Sequence, residues 1–248
     1  MFSISFTEVI EVEKLKAYLC YSSVLVCVFL FGGLLYAAFD GNDNTEMVSA
    51  DTKPVVIIDA GHGGEDGGAQ ANGVLEKDVN LAIALRLRDM LTVSGYNVKM
   101  IREEDISVYD SSASTVREKK VSDMKNRVST INSDANNILI SIHQNKFEQS
   151  KYSGAQMFYS KNDPRSEKLA ESIRRSVTSL LQPENSRELK SDDGSVYILK
   201  KAEVPAVIVE CGFLSNEKEA RLLSDSEYQG KMAFAIMCGF LDYQSKNT

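Results

Sequence analysis

The stretch Val55–Gly68, VVIIDAGHGGEDGG, decides how this chain is read. Val55–Ile58 is a β-branched run behind Pro54 and reads as a buried strand. Asp59 and then His62 follow, in a loop with glycine at 61, 63, 64, 67 and 68. Those glycines let the backbone turn sharply and come close to a ligand. Ligands of open α/β sheets bind beyond the carboxyl ends of the strands, which is where His62 falls. His62 is therefore the first candidate site residue, and the rest of the chain must supply its partners.

The 248 residues are 43% hydrophobic and 25% charged, enough for one globular domain with a sizeable core and an appendage. The formal net charge is −7, and residues 40–248 carry −6 of it. An acidic body without a dense basic patch argues against nucleic acid as a partner. Cys20 and Cys27 lie in an N-terminal apolar stretch, while Cys211 and Cys238 lack CxxC or zinc-finger spacing. Two reduced, buried thiols are expected in the body, in preference to a Cys211–Cys238 bridge.

Residues 1–16 read as a cytoplasmic N-terminus. Ala17–Phe39 is uncharged and mainly apolar, and a helix of about 20 such residues spans a bilayer. Lys14 and Lys16 precede it and Asp40, Asp43 and Glu46 follow, so the positive-inside rule puts the body outside the cytoplasm. Tyr36 spoils an A-x-A cleavage pattern, which favours an uncleaved signal anchor over a cleaved signal peptide. Residues 40–53 read as a polar linker, and residues 54–248 as the folded domain.

Within that domain, Leu75–Gly95 carries Val79, Ile83, Leu87 and Met90 at helical spacing. Val98–Ile101 is a second strand, so the opening order is βαβ and the sheet is parallel there. Glu103–Lys125 is polar and serine-rich: a solvated loop running into a helix over Met124–Asp134, with a mobile flap as the sharper alternative. Ile138–His143, Ala155–Tyr159, Val196–Leu199 and Pro205–Glu210 read as strands. Pro164–Leu181, Ser215–Leu223 and Glu227–Tyr243 read as helices, the first with one apolar stripe. The fold expected is α/β: a single domain with a twisted, mostly parallel, mixed sheet of about six strands, flanked by helices on both faces.

Three apolar strands thus end in His62, His143 and Glu210, and the chain has only these two histidines. Neutral imidazoles suit zinc, and a catalytic zinc site uses three protein ligands with one position open. Glu76, where the glycine-rich loop returns to start a helix, is the natural third. Each residue alone has a blander reading, as a core histidine, a solvated helix-start charge or an ion-pair partner. The rival reading of the loop as a phosphate cradle lacks the Gly-Lys-Ser/Thr and GxGxxG patterns. Cys211 as a thiol nucleophile, with His143 as its base, competes with a small buried cysteine.

The motifs IDAGHGG (Ile58–Gly64), LEKDVNLAIA (Leu75–Ala84), Arg127 with Asn132, SIHQN (Ser141–Asn145) and VECGFLSN (Val209–Asn216) resemble those of the zinc-dependent N-acetylmuramoyl-L-alanine amidases. The resemblance runs from about Pro54 to Tyr243. It implies one Zn²⁺ held by His62, Glu76 and His143, and Glu210 as the catalytic carboxylate. Asp59, Arg127 and Asn145 are candidates for supporting or substrate contacts. Gln144 departs from the small residue common after the second histidine, which would alter metal affinity or substrate entry.

The implied substrate is peptidoglycan, cut at the amide between the lactyl group of N-acetylmuramic acid and L-alanine. The glycines beside His62 would keep the rim open for a glycan strand. A short body with an N-terminal anchor resembles the sporulation and germination members that act on spore cortex, with a vegetative cell-wall or daughter-cell separation role as the alternative. Two other expectations stand beside this: an amidase-like, membrane-anchored binding protein without activity, and an enzyme idle until an activating protein partner opens its site. Location is expected outside the cytoplasm, in the cell wall or cortex compartment.

Overall fold

The structure is a computed structural model and describes residues 53–247. Residues 1–16, the signal-anchor segment 17–39 and most of the linker lie outside the described residues. Among the described residues no helix is long and apolar enough to cross a membrane.

The β-branched runs form strands because both of their faces are buried. β1 (Val55–Ala60) sends Val56, Ile58 and Ala60 into one apolar cluster and Ile57 into another. β2 (Gln70–Ala71) and β3 (Val74–Leu75) make a small antiparallel hairpin inside the glycine-rich segment. α1 (Glu76–Val93) then buries Val79, Ile83, Leu87 and Leu91, the stripe its sequence spacing predicts. β4 (Asn97–Met100) returns parallel to β1, completing the expected βαβ unit.

After a loop come α2 (Val116–Ile131) and the apolar β5 (Ile138–Asn145). β6 (Gln156–Tyr159), α3 (Arg165–Leu180), β7 (Lys190–Ser191) and α4 (Tyr197–Lys201) follow. β8 (Ala206–Phe213), α5 (Glu217–Ser224) and α6 (Ser226–Asn247) close the chain. The six-stranded sheet has the order β4-β1-β5-β8-β6-β7. Every neighbouring pair is parallel except β6 with β8. One face packs on α1, α3 and α6; the other packs on α2 and α4. The expected mixed α/β sheet with helices on both faces is thus the observed one.

Two local expectations fail. The helix expected from Met124 begins at Val116, because Thr115 and Glu118 form a reciprocal capping box that nucleates it among polar residues. Val196–Leu199 is not a strand: Tyr197–Lys201 is a short helix. Ile198 and Leu199 are both buried in the same cluster. Consecutive strand residues would point to opposite faces, whereas a helical turn lets both reach the core.

Candidate metal centre

β1 and β5 are adjacent and parallel, so their carboxyl ends reach the same rim. Ala60 pairs with Ile142, which sets His62 and His143 beside each other with ring centroids 5.1 Å apart. His143 in turn faces Glu210 across β5 and β8. Strand order alone therefore gathers the three groups that the sequence places at strand ends.

The glycine-rich loop does the rest. A Cβ on Gly61 would lie 2.3 Å from Nε2 of His143, so only glycine lets that imidazole approach. Gly68 has φ +66°, and a Cβ there would lie 2.6 Å from both Glu76 Oε2 and His62 Cδ2. These two glycines let the site residues pack closely. His62 itself has φ 63°, a left-handed conformation uncommon outside glycine. The loop's amides are also occupied. Gly63 donates to Asp66 O, Gly64 to Asp105 Oδ1, and Ala69 to Glu76 Oε2. They do not form a phosphate cradle.

Glu76 is the first residue of α1 and is 3% exposed. Its Oε1 lies 2.9 Å from His143 Nδ1 and 3.3 Å from His62 Nε2. One imidazole or carboxylate donor atom from each of the three residues lies within 4.8 Å of the others. Donors at zinc–ligand distances of 2.0–2.1 Å in a tetrahedral arrangement sit about 3.4 Å apart, so this His-Glu-His set fits such an ion. Burial opposes ionisation of Glu76, but the two imidazoles outweigh it and hold its carboxyl well below the usual range. Burial likewise opposes protonation of His62, yet Glu76 and Asp66 push its imidazole up to about 9. Anionic character surrounds the imidazoles, as a cation site requires.

The supporting contacts are more extensive than the sequence suggested. His62 Nδ1 lies 3.0 Å from Asp66 Oδ2, which fixes the ring while Nε2 faces Glu76. Asn80, one turn along α1, donates to Gly61 O at 3.0 Å and toward Glu76 Oε1 at 3.4 Å. The Glu76–Asn80 spacing made Asn80 findable; Asp66 needed the turn geometry. Gln144 does not intrude on the opening. Its amide donates to Asn80 Oδ1 at 3.1 Å and its backbone N–H to Glu76 Oε1 at 3.1 Å.

Asp59 touches neither imidazole. It is fully buried and accepts from Ser141 Oγ at 2.7 Å and from Arg127. Arg127, 1% exposed, also donates to Asp123 and, at 2.8 Å, to the carbonyl of His62. Asn145 contributes its carbonyl to Leu214 N. Asn132 ties α2 to the segment after α4 through Lys201 O and Glu203 N.

Glu210 opens on a cavity of about 240 Å³ between α2 and α4, shared with His62 and His143 and walled by Met124, Phe158 and Ile198. Its Oε2 is buried and has no hydrogen-bond partner among the described residues. Burial pushes its carboxyl up to about 7, with His143 opposing and Glu76 adding to the rise. Cys211, the competing nucleophile, is fully buried, and burial pushes its thiol far up. Cys211 and Cys238 are both free thiols. The polar stretch after β4 is a brace: Ser107 Oγ donates to Gly63 O, and Val108 N to Asp123 Oδ2.

Comparison with known proteins gives the same reading. The profile of the family described as N-acetylmuramoyl-L-alanine amidase matches residues 56–241. The germination-specific N-acetylmuramoyl-L-alanine amidase of Bacillus subtilis is 35% identical over 232 residues, 93% of this chain and 95% of that protein. The CwlD amidase of Clostridioides difficile, solved in complex with the GerS lipoprotein, superposes with a TM-score of 0.75 at 44% identity. The match covers 78% of this chain and 99% of that one. The AmiC2 amidase of Nostoc punctiforme gives a TM-score of 0.67 at 29% identity, over 78% and 98%. A family match across the whole sheet, with the strand-end residues inside it, leaves one conclusion: the chain belongs to the N-acetylmuramoyl-L-alanine amidases.

Proposed function

We propose that this amidase works with one zinc ion between His62, Glu76 and His143, and with Glu210 as its acid–base group. The reaction is hydrolysis of the amide between the lactyl group of N-acetylmuramic acid and L-alanine in peptidoglycan. The observation that carries the reading is the meeting of His62, Glu76 and His143 beside an unpartnered Glu210 Oε2. A bound zinc ion would polarise the scissile carbonyl and acidify the attacking water. Glu76 and the two imidazoles would hold it, with Asp66 orienting His62 and Asn80 steadying Glu76. Glu210 takes the water's proton on Oε2 and returns it to the alanine nitrogen as the C–N bond breaks. A carboxyl raised to about 7 can do both near neutral pH. Burial of Glu210 supplies that shift by excluding water.

The germination-specific relative and the CwlD structure support a role in spore-cortex maturation. CwlD's complex with a lipoprotein supports a protein partner for this chain as well. Residues 17–39 support membrane anchoring outside the cytoplasm. The test is metal analysis with mass spectrometry of digested peptidoglycan. One zinc per chain is expected, with stem peptides released bearing a free alanine amine. Chelator should stop their release and added zinc should restore it. Hydrolysis that survives full chelation would overturn the zinc assignment.

A further inference from the structure

Lys120 lines the same cavity as His62 and Glu210, from α2. It is exposed, and among the described residues its ammonium is in no hydrogen bond or ion pair. Apart from Glu210, the other charges around the opening are engaged. Asp66 is paired with His62. Asp123 accepts from Val108 N and Arg127, and Arg127 is itself held by Asp59 and Asp123. The neighbouring Lys119 is bound to Glu65. A lysine left without a partner beside such a cavity is a ready carboxylate receptor.

The cavity's shape limits what it can take. At about 240 Å³ it falls below the roughly 300–1,000 Å³ of ordinary ligand pockets, and Met124, Phe158, Ile198 and Ile208 give it an apolar share of its wall. It suits an amino-acid residue better than a disaccharide. The charge of the substrate points the same way. The N-acetylated sugars are neutral, and the lactyl carboxyl is consumed in the scissile amide. The nearest ionised group is the α-carboxylate of the second stem residue, a γ-linked glutamate, on the peptide side of the bond.

On the amidase reading, we propose that the stem peptide enters along the α2–α4 cavity and that Lys120 receives the free α-carboxylate of its second residue. Lys120 then makes the enzyme prefer stems carrying the acid over stems carrying the α-amide, and the glycan leaves on the opposite side of the scissile bond. The contact forms in the bound substrate and in the transition state alike, so it acts on KM more than on kcat.

Two muropeptides that differ only in this group, carboxylate against carboxamide, test the proposal on the zinc-loaded full chain. The wild type should favour the acid by about two- to fivefold in kcat/KM, the scale of an exposed charge pair. Lys120→Met should bring the ratio to about one through KM, and Lys120→Glu should invert it. Lys125→Met removes an exposed charge that does not line the cavity, and should keep the wild-type ratio. A wild type indifferent to the group, or a Lys120→Met variant that keeps the preference, overturns the proposal. A zinc-loaded wild type that cuts neither muropeptide, yet releases stem peptides from whole peptidoglycan under the same conditions, overturns the proposal and leaves the amidase reading standing; one that cuts neither muropeptide nor whole peptidoglycan, even with a lipoprotein partner of the kind seen with CwlD supplied, overturns both.

Discussion

Replacing Arg127 with alanine tests how the site is held. Arg127 is 1% exposed and pairs with Asp59, which is fully buried. The substitution leaves Asp59 with one remaining side-chain donor, Ser141 Oγ at 2.7 Å. Breaking a buried pair from one side costs about 3–5 kcal/mol. The lost bond to His62 O falls within that range and is not added to it. Against a typical domain stability of about 5–15 kcal/mol the loss is large but survivable. Urea unfolding of the zinc-free protein should show it as a lower midpoint at unchanged slope.

The same experiment has a sign that depends on pH. Burial pushes the Asp59 carboxyl up, but Arg127 above all, with His143 and Ser141, outweighs it, so the folded value lies below 3.8. A depressed carboxyl stabilises the fold above the unfolded value and loses that contribution as pH falls through the folded one. In Arg127→Ala burial dominates and the carboxyl rises instead. The variant should then regain stability relative to wild type as pH falls through that raised value. Zinc affinity should also fall, by about 10–100-fold, because Arg127 holds the carbonyl of the left-handed His62. A loss below about 1 kcal/mol at pH 7 would refute the buried-pair reasoning. Unchanged zinc affinity would refute the link to His62.

Three further outcomes are expected. Glu210→Gln should cut turnover by at least about 10²-fold while zinc stays bound at the wild-type level; near-normal hydrolysis would remove Glu210 from the proton transfer. Gly61→Ala should cost about 1–3 kcal/mol of overpacking and weaken zinc binding, because its Cβ would lie 2.3 Å from the His143 ring; normal binding in a metal-competition assay would show that the ring can retreat. Glu118, held at about 2 by the backbone N–H groups of Thr115 and Ser114 and the Ser114 hydroxyl, should stabilise α2 fully above 4.5 and lose that contribution as pH falls toward 2. The stability gap between wild type and Glu118→Gln should close over that window, and a gap independent of pH would count against the capping box.

Much of this protein was legible in its sequence because burial leaves a local pattern. Apolar runs rich in β-branched residues marked β1, β5 and β8, strands covered on both faces, and the apolar spacing of α1 marked the helix after β1. His62, His143 and Glu210 stood out as polar ends of apolar runs, and Glu76 as the return of the glycine-rich loop. The capping box at Thr115 and Glu118 was equally local and went unread; a polar stretch hides a helix from hydrophobic periodicity. Only the tertiary structure decided the rest. Strand order set β1 beside β5 and β5 beside β8, joining residues far apart in the chain. The left-handed turn at His62 brought Asp66 onto its ring. The packing of α2 over β1 took Asp59 away from the imidazoles and gave it to Arg127. Periodicity records which side of an element is buried, whereas the partner it is buried against depends on contacts that no local spacing encodes.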